Sequence, residues 1–214
     1  MKPYIIIIIT LFAFFSCKAQ SPIVPLDTRI HETPDGSYLK DLNNELNKFV
    51  GTWKYENGNT SFTIIFQKKV QVYNDEWYED MLIGEYKYVD NGVEIVNLLD
   101  RLNNPILNNP SNYYEFNITG NTILKKGQKP SCEECDISER RILMFFDDPE
   151  RKYLSHKLAI RYINENVTEK IEAILITEGS SVLPYENAPQ EARVPDGTYT
   201  FILITKTTYS FKLK

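Results

Sequence analysis

The stretch WYEDMLIGEYKYVDNGVEIVNL at residues 77–98 decides the fold. Its first part, residues 77–89, is a long run rich in aromatic and aliphatic residues, which is typical of a β-strand. Asn91-Gly92 follows, and this dipeptide favours the two-residue turn of a β-hairpin because both residues tolerate a positive φ angle. Residues 93–98 then return as the second strand. The stretch therefore predicts an antiparallel hairpin.

Another long strand is predicted to begin near Thr60. Alternate residues of this strand are apolar and therefore lie on one face, with Lys68 as the single interruption. The apolar residues on that face are Phe62, Ile64, Phe66, Val70 and Val72.

The rest of the chain shows the same alternation, with Asn, Asp, Gly or Pro between the runs. Counting a strand at Trp53, about ten strands follow one another through short turns, as in an antiparallel meander. Closure into a barrel removes the exposed edges of such a long meander. The expected fold is therefore all-β, an antiparallel meander that closes into a β-barrel of about 8–10 strands. The further strands are predicted at Tyr113–Ile118, Thr122–Lys125, Arg141–Phe146, Leu154–Ile163, Glu169–Glu178, Tyr199–Thr205 and Tyr209–Leu213.

One short helix is predicted before the strands. Leu39, Leu42, Leu46 and Phe49 recur at spacings of three and four residues, which is the period of an α-helix. Ser37 precedes them and is a good N-cap residue. We expect about three turns of helix, at the start of a single domain that spans residues 37–214.

Phe49-Val50-Gly51-Thr52-Trp53 follows this helix and opens the first strand. The order of a short helix and then G-x-W resembles the lipocalin-like, or calycin, superfamily. The resemblance implies that Trp53 packs across the closed end of a barrel, that the helix plugs this end, and that Gly51 and Trp53 are structural. The family's late arginine, which caps the tryptophan, has no clear counterpart, although Arg161 and Lys206 lie on candidate strands.

A second resemblance concerns both ends of the domain. The Gly51-Thr52-Trp53 opening and Pro195-Asp196-Gly197-Thr198-Tyr199-Thr200 are similar to segments of uncharacterised exported bacterial domains. Those domains have no established activity, so this resemblance implies export and no particular function.

The first residues have the pattern of an export signal. Lys2 is followed by an apolar run at residues 4–15, and this run is too short to span a bilayer. Residues 14–17, Phe-Phe-Ser-Cys, resemble the lipobox of bacterial lipoproteins, which implies cleavage after Ser16 and a lipid on Cys17. Cleavage after Ala19 is the alternative and would release a soluble periplasmic or secreted protein.

The segment that follows Cys17 is predicted to be a flexible tether at residues 17–36. It is punctuated by Pro22, Pro25 and Pro34 and shows no periodicity. Lys18 differs from the aspartate that is associated with inner-membrane retention in the lipoproteins that this chain resembles. We therefore expect a lipoprotein of the cell envelope, in the outer membrane, and the leaflet stays open.

Two further cysteines, Cys132 and Cys135, form the segment Cys-Glu-Glu-Cys. An exported protein meets an oxidising compartment, so we expect a disulfide between them. A redox motif is the alternative, but the two intervening glutamates would raise a thiol pKa. A zinc site would need further ligands, and His31 and His156 are each isolated in sequence.

Charge and motifs restrict the function classes. The chain has a formal net charge of −5, and its lysines and arginines are scattered, so nucleic acid is not an expected partner. Ser155-His156 would point to opposite faces of a strand, and Gly179-Ser180-Ser181 is not a nucleophile elbow. We therefore expect no catalytic residues, no metal and no cofactor.

Carboxylates occur in two groups at predicted turns, residues 75–80 and residues 147–150. Calcium or acid/base chemistry is one interpretation, and solvated turn charge is the favoured one because no EF-hand spacing accompanies them. Two longer loops, residues 99–112 and 179–197, are predicted to be either functional lids or variable surface connections. His156 is expected to be a strand residue near a wet edge.

Three function classes remain. The first is non-catalytic binding of a small apolar ligand inside the barrel, since about eight strands leave room for one. The alternative is a barrel filled by its own aromatic side chains that acts as a protein-interaction or structural module of the envelope. An enzyme without a short sequence signature is the least favoured class. The partners expected are the membrane, through the lipid, and a small hydrophobic ligand or an envelope protein.

Overall fold

The first strand of the predicted hairpin forms one part of a closed barrel in the computed structural model of the chain. The structure describes residues 21–165, 168–180 and 183–206. The export signal, Cys17 and the predicted strand at Tyr209–Leu213 lie outside the described residues. The described strands are β1 (Ile23–Pro25), β2 (Tyr38–Lys40), β3 (Gly51–Asn57), β4 (Thr60–Tyr73), β5 (Tyr78–Asp90), β6 (Val93–Asn97), β7 (Ile118–Leu124), β8 (Arg141–Phe146), β9 (Leu154–Glu165), β10 (Thr168–Ser180) and β11 (Gly197–Thr205).

Eight antiparallel strands close the barrel in the order β5-β4-β3-β11-β10-β9-β8-β7, because β7 also pairs with β5. The predicted fold class is thereby confirmed, and the architecture is compatible with a lipocalin-like fold. The short helical segments are 3₁₀-helices, and none of the described helices is long and apolar enough to cross a membrane. They are η1 (Ile30–Glu32), η2 (Asn47–Phe49), η3 (Leu99–Asn103) and η4 (Pro110–Glu115).

The hairpin itself is confirmed. Asp90 pairs with Val93, and the two residues between them have positive φ angles, 48° at Asn91 and 83° at Gly92. Both central residues of this turn therefore have the backbone conformation that Asn-Gly favours. The strand β6 pairs only with β5 and lies outside the closed ring.

Aromatic side chains fill the interior of the barrel. The Phe62 ring on β4 lies within 6.4 Å, centroid to centroid, of five other rings, and three of these contacts are edge-to-face with strands β5 and β8. Such geometry is the favourable one for aromatic pairs. Phe146 on β8 also packs on Tyr86 of β5 at 4.5 Å. Side chains from opposite walls therefore meet inside the barrel. The rings around Phe62 are Tyr86, Tyr88, Phe146, Tyr199 and Phe201.

Trp53 is fully buried near one end of the barrel, next to the segment that precedes β3. Its indole Nε1 donates a hydrogen bond to the carbonyl oxygen of Phe49 at 2.6 Å. Tyr162 on β9 meets both the Phe49 and Trp53 rings edge to face. Arg161, the neighbour of Tyr162 on β9, forms ion pairs with carboxylates of the β7–β8 loop, outside the barrel. It therefore does not cap Trp53, which is the role that the resemblance to lipocalins gives to a late arginine.

The predicted helix over residues 37–49 is wrong for most of its length. Tyr38–Lys40 forms the strand β2, turns follow, and only Asn47–Phe49 is helical. The Asp41 carboxylate accepts hydrogen bonds from the backbone N–H groups of Glu45 and Leu46, and it also pairs with Lys68 of β4. This buried carboxylate fixes the turns. Among the leucines, Leu39 and Leu46 are buried, whereas Leu42 is exposed.

Three smaller differences follow from packing outside the barrel. The strand predicted at Tyr113–Ile118 is wrong for all but its last residue, because η4 occupies the first half of this range and β7 begins only at Ile118. Within the predicted tether, β1 pairs in parallel with β2, and Arg140 binds Asp27, so the described part is not coil throughout. Val72 was expected on the same face of β4 as Phe62, but a bulge before Val72 shifts the register. Its side chain therefore lies in a second hydrophobic cluster and not in the main core.

Cys132 and Cys135 form a disulfide in the loop between β7 and β8, and both are buried. Arg161 lies beside this loop and binds Glu134 and Glu139 at 2.9 Å and 2.8 Å. The disulfide loop is thereby attached to the outer face of β9.

Gly51 is expected to be intolerant of a side chain. Its φ angle is 144°, and an added Cβ would lie 2.7 Å from the carbonyl oxygen of Thr205 on β11. We predict that Gly51→Ala lowers the free energy of unfolding by about 2 kcal/mol or more, because the β3–β11 pairing must shift. Urea unfolding followed by far-ultraviolet circular dichroism measures this.

Gly58→Ala is the matched control. Gly58 also has a positive φ angle, 58°, but an added Cβ would meet no atom within 4 Å. Gly58→Ala is expected to lower the free energy of unfolding by only about 1–2 kcal/mol, because alanine is less stable than glycine at a positive φ angle. Equal losses in the two variants would contradict the close approach at Gly51.

Candidate functional site

The outer face of β5 is covered by the chain that contains η3 and η4. Residues of β5 alternate, so Leu82 and Tyr86 face the interior while Met81, Ile83 and Glu85 face outward. A second apolar cluster joins this outer face to the covering segment, which explains why β5 is buried on both sides. Its members are Val72, Met81, Ile83, Leu102, Leu107 and Phe116.

Two open pockets lie on the wall at the edges of this cover, and Tyr114 of η4 lines both of them. We call the two together the Tyr114 groove. The first pocket, of about 500 Å³, is lined by Gln71, Tyr73, Asn74, Asp75, Tyr78, Pro110, Ser111 and Tyr114. The second pocket, of about 420 Å³, is lined by Arg101, Tyr114, Glu115, Asn117, Asp147, Pro149 and Lys152.

Asp80 supports the wall of the first pocket from beneath. Its carboxylate accepts hydrogen bonds from the hydroxyl of Tyr38 at 2.5 Å and from the backbone N–H groups of Asp41 and Gln71 at 3.0 Å and 3.1 Å. The last of these holds Gln71 at a positive φ angle of 53°. Asp80 is 2% exposed, so solvated turn charge is the wrong interpretation for this residue.

Glu79 supports the same pocket from its Tyr114 side. The hydroxyl of Tyr114 donates a hydrogen bond to one carboxylate oxygen of Glu79 at 2.5 Å. The other oxygen accepts from Asn121 of β7 at 3.0 Å and from the indole of Trp77 at 3.5 Å. Burial and this carboxylate together raise the pKa of the Tyr114 hydroxyl, so it stays protonated as a donor. Tyr114 is therefore held in one position between the two pockets.

Glu85 lies under the second pocket with no exposed surface. One of its oxygens accepts a hydrogen bond from Nε of Arg101 at 2.8 Å and from the backbone N–H of Asn117 at 3.3 Å. Burial raises the pKa of Glu85 to about 7, although both of these donors act to lower it.

Two oxygens beside Arg101 have no hydrogen-bond partner among the described residues. They are the second carboxylate oxygen of Glu85 and the side-chain oxygen of Asn117, and both are buried. A neutral carboxylic acid would supply one donor here, which fits the raised pKa of Glu85. This pair is a chemical feature of the site that no sequence motif marks.

The carboxylates at residues 147–150 have different environments. Asp148 is 1% exposed and forms a bidentate pair with the Arg193 guanidinium, which also binds Glu150. Burial acts to raise the pKa of Asp148, but the Arg193 hydrogen bonds hold it below its ordinary value. Asp147 has its pKa raised by burial. Solvated turn charge is therefore wrong for Asp148.

Arg193 also attaches the second long loop to the barrel. Its backbone N–H donates to Asp148, and Ala188, Ala192 and Val194 of the same loop are buried. Asp196 accepts hydrogen bonds from the backbone and hydroxyl of Thr177 on β10. The described part of residues 179–197 is thus packed against the barrel, as the segment with η3 and η4 is.

His156 is not at a wet edge, which corrects that expectation. It is 1% exposed on β9, where Phe146 contacts it edge to face, and neither ring nitrogen has a hydrogen-bond partner in the described part of the chain. Burial lowers its pKa, so the neutral ring is favoured. Within the described residues, no group of three or more His, Cys, Asp or Glu side chains could hold a metal ion.

The residues that sequence analysis singled out do not meet in one place. Gly51 and Trp53 lie at one end of the barrel, and the disulfide lies in the β7–β8 loop. The Tyr114 groove combines residues from β4, β5, η3, η4 and the loop after β8, which are distant in sequence. Three sequence signals lie close to it: the carboxylate groups at residues 75–80 and 147–150, and the loop at residues 99–112, whose residues Arg101, Pro110 and Ser111 line the pockets.

The raised pKa of Glu85 makes stability depend on pH. From its ordinary value near 4.5 up to about 7, the unfolded chain loses this proton while the folded chain keeps it, so stability falls as pH rises. We compare the free energy of unfolding of the natural chain with that of Glu85→Gln, which cannot ionise. From pH 5 to pH 8 we predict that the difference shifts by about 2–3 kcal/mol in favour of the variant. Urea unfolding at both pH values measures this.

Glu115→Gln is the matched control, because Glu115 is exposed beside the same pocket. Its stability should follow that of the natural chain across this pH range. A Glu85→Gln profile parallel to that of the natural chain would refute the raised pKa.

Comparison with known proteins adds a family and no activity. Comparisons with curated proteins and with solved structures each found no match. A family described as "Family of unknown function (DUF6705)" matches residues 1–203, which is most of the chain. The chain therefore belongs to DUF6705, a family of unknown function.

Proposed function

We propose that this protein is a lipid-anchored, non-catalytic binding module of the cell envelope, and that it binds through the Tyr114 groove. The proposal rests on one observation: the pockets lie on the outer wall of the barrel, whereas side chains fill its interior. Contacting aromatic rings from β3, β4, β5, β8 and β11 occupy the interior, whereas two pockets of about 500 Å³ and about 420 Å³ meet on the outer wall.

This arrangement favours the filled-barrel alternative over an apolar ligand inside the barrel. An internal ligand would have to displace rings such as Phe62 and Phe146, which contact each other across the interior. Close-packed aromatic cores are costly to reopen. The groove, in contrast, is open and has both aromatic and polar walls, which is the usual character of a binding site.

The non-catalytic part of the proposal rests on how the polar groups are engaged. Glu79, Asp80 and Asp148 each accept several hydrogen bonds from neighbouring residues, so they act as supports. Glu85, whose pKa is about 7, is covered and paired with Arg101. These contacts hold the groove in shape and leave Tyr114 at its centre.

The envelope location rests on the first residues and is tested directly. We predict that the natural chain, expressed in its own host, fractionates with membranes and carries acyl chains on Cys17. The Cys17→Ser variant should lack the lipid mass and move to the soluble fraction, because a single acyl-bearing terminus is the attachment. A mature natural chain that begins at Gln20 without lipid would contradict this part of the proposal.

The binding surface is tested by site-specific photo-cross-linking in intact cells. We predict that p-benzoylphenylalanine in place of Tyr114 gives a discrete cross-linked adduct, because position 114 lies in both pockets. The same probe in place of Phe145 is the control, since Phe145 is exposed on β8 and lines neither pocket. Adducts of equal yield at both positions, or none at 114, would contradict the assignment.

A further inference from the structure

Three tyrosines stand around the first pocket of the groove. Tyr73 and Tyr78 are cross-strand partners at the end of the β4–β5 hairpin, and their ring centroids are 5.0 Å apart. Tyr114 faces the same pocket from η4. Tyr73 is 49% exposed and Tyr114 is 41% exposed, so large aromatic surfaces are available to a ligand. Exposed aromatic groups of this kind are typical of recognition surfaces.

The structure holds these rings and the turn beside them in fixed positions. The Tyr73 hydroxyl donates to the backbone oxygen of Asp75 at 2.9 Å. The Asn74 side-chain oxygen accepts from the backbone N–H groups of Glu76 and Trp77, and Asp75 has a φ angle of 74°. A site that is fixed before binding loses little conformational entropy when a ligand enters.

The polar side chains of the pocket are available for ligand hydroxyl groups. Asp75 is exposed, and its carboxylate accepts no hydrogen bond from the described residues. The side-chain amide of Gln71 is likewise without a hydrogen bond in the described part of the chain. A carboxylate acceptor and an amide that both donates and accepts suit a ligand with several hydroxyl groups.

Other ligand classes fit this pocket less well. An anion would meet the negative charges of Asp75 and Glu79, and among the described residues no lysine or arginine lines the pocket. A quaternary ammonium ion needs rings that surround one point, whereas Tyr73 and Tyr78 pack on each other. A purely apolar ligand would leave the polar groups unpaired.

We propose that the first pocket binds a neutral saccharide, with a pyranose ring stacked on Tyr73 and its hydroxyl groups on Asp75 and Gln71. This inference rests on the proposed function and names the ligand class of the same groove. The apolar C–H face of a pyranose matches the aromatic surface, and its hydroxyl groups match the free carboxylate and amide. A free oligosaccharide and a glycan chain of the envelope share this chemistry.

Binding is measured on the full mature chain with cellotriose, maltotriose and chitotriose as probes. Isothermal titration calorimetry gives affinities, and Trp77 supplies an independent signal because its indole shares Glu79 with Tyr114. The other tryptophan, Trp53, is buried in the barrel, so Trp77→Phe identifies the source of any fluorescence change. Sedimentation with isolated cell-wall glycan tests the polymeric source.

We expect at least one of these trisaccharides to bind with a dissociation constant in the micromolar to millimolar range. Tyr73→Ala should weaken binding at least about tenfold, because it removes the stacking surface. Asp75→Asn keeps a residue that tolerates a positive φ angle and should weaken binding about fivefold through loss of charge. Phe145→Ala, which removes an exposed aromatic ring elsewhere on the barrel, should change affinity less than about twofold.

Co-sedimentation with the glycan, lost in Tyr73→Ala, would identify the polymer as the source, and trisaccharide binding alone would identify a free saccharide. Absence of binding to every saccharide probe, or equal binding by Tyr73→Ala, would overturn the inference. Binding of choline that requires Asp75 would overturn it in favour of a cation. If cross-linking at position 114 persists while saccharides do not bind, the saccharide inference fails and the groove remains the binding surface.

Discussion

The contacts of the Phe62 ring are the packing on which the barrel depends. Phe62 stands on β4 and touches rings from β5, β8 and β11, with centroids 5.2–6.4 Å away. Because β8 lies far from β4 in the order of the sheet, this contact is satisfied only when the sheet closes. Each buried aromatic side chain stabilises the folded state by about 2–3 kcal/mol. Elsewhere in the same core Gly84 on β5 leaves room for the Phe66 ring, since a Cβ at position 84 would lie 2.9 Å from that ring.

A filled interior moves the available binding surface to the outside of the barrel. The outward face of β5 is apolar at Met81 and Ile83, so it requires the cover that the η3–η4 segment provides. That cover also buries Glu85, and Arg101 supplies the opposite charge that a buried carboxylate needs. The groove is thus a consequence of the core. It lies where the covering segment ends and the ends of β4 and β5 emerge.

Local patterns in the sequence predict the strands, because alternation and Asn-Gly turns act over a few residues. The helix predicted over residues 37–49 is wrong because contacts with residues elsewhere in the chain determine the structure of this segment. Its leucines are spaced like a helix, but the Asp41 carboxylate fixes turns there by accepting from the backbone of Glu45 and Leu46. The cation that pairs with this buried carboxylate is Lys68, which is 27 residues away. The supports of the groove are equally non-local: Asp80 binds Tyr38 across 42 residues, and Asp148 binds Arg193 across 45. A single sequence contains the charges but not these partners.

The two pockets of the groove differ in their electrostatics, and Tyr114 separates them. The lining of the first includes three tyrosines and one carboxylate, Asp75, whereas the second is lined by Arg101 and Lys152 together with the carboxylates of Glu115 and Asp147. Arg101 is compensated by Glu85, whose pKa is about 7. When the pH falls through that value, Glu85 takes up a proton and the net charge beside Arg101 becomes more positive. The charge contrast between the two sides of Tyr114 therefore increases on mild acidification.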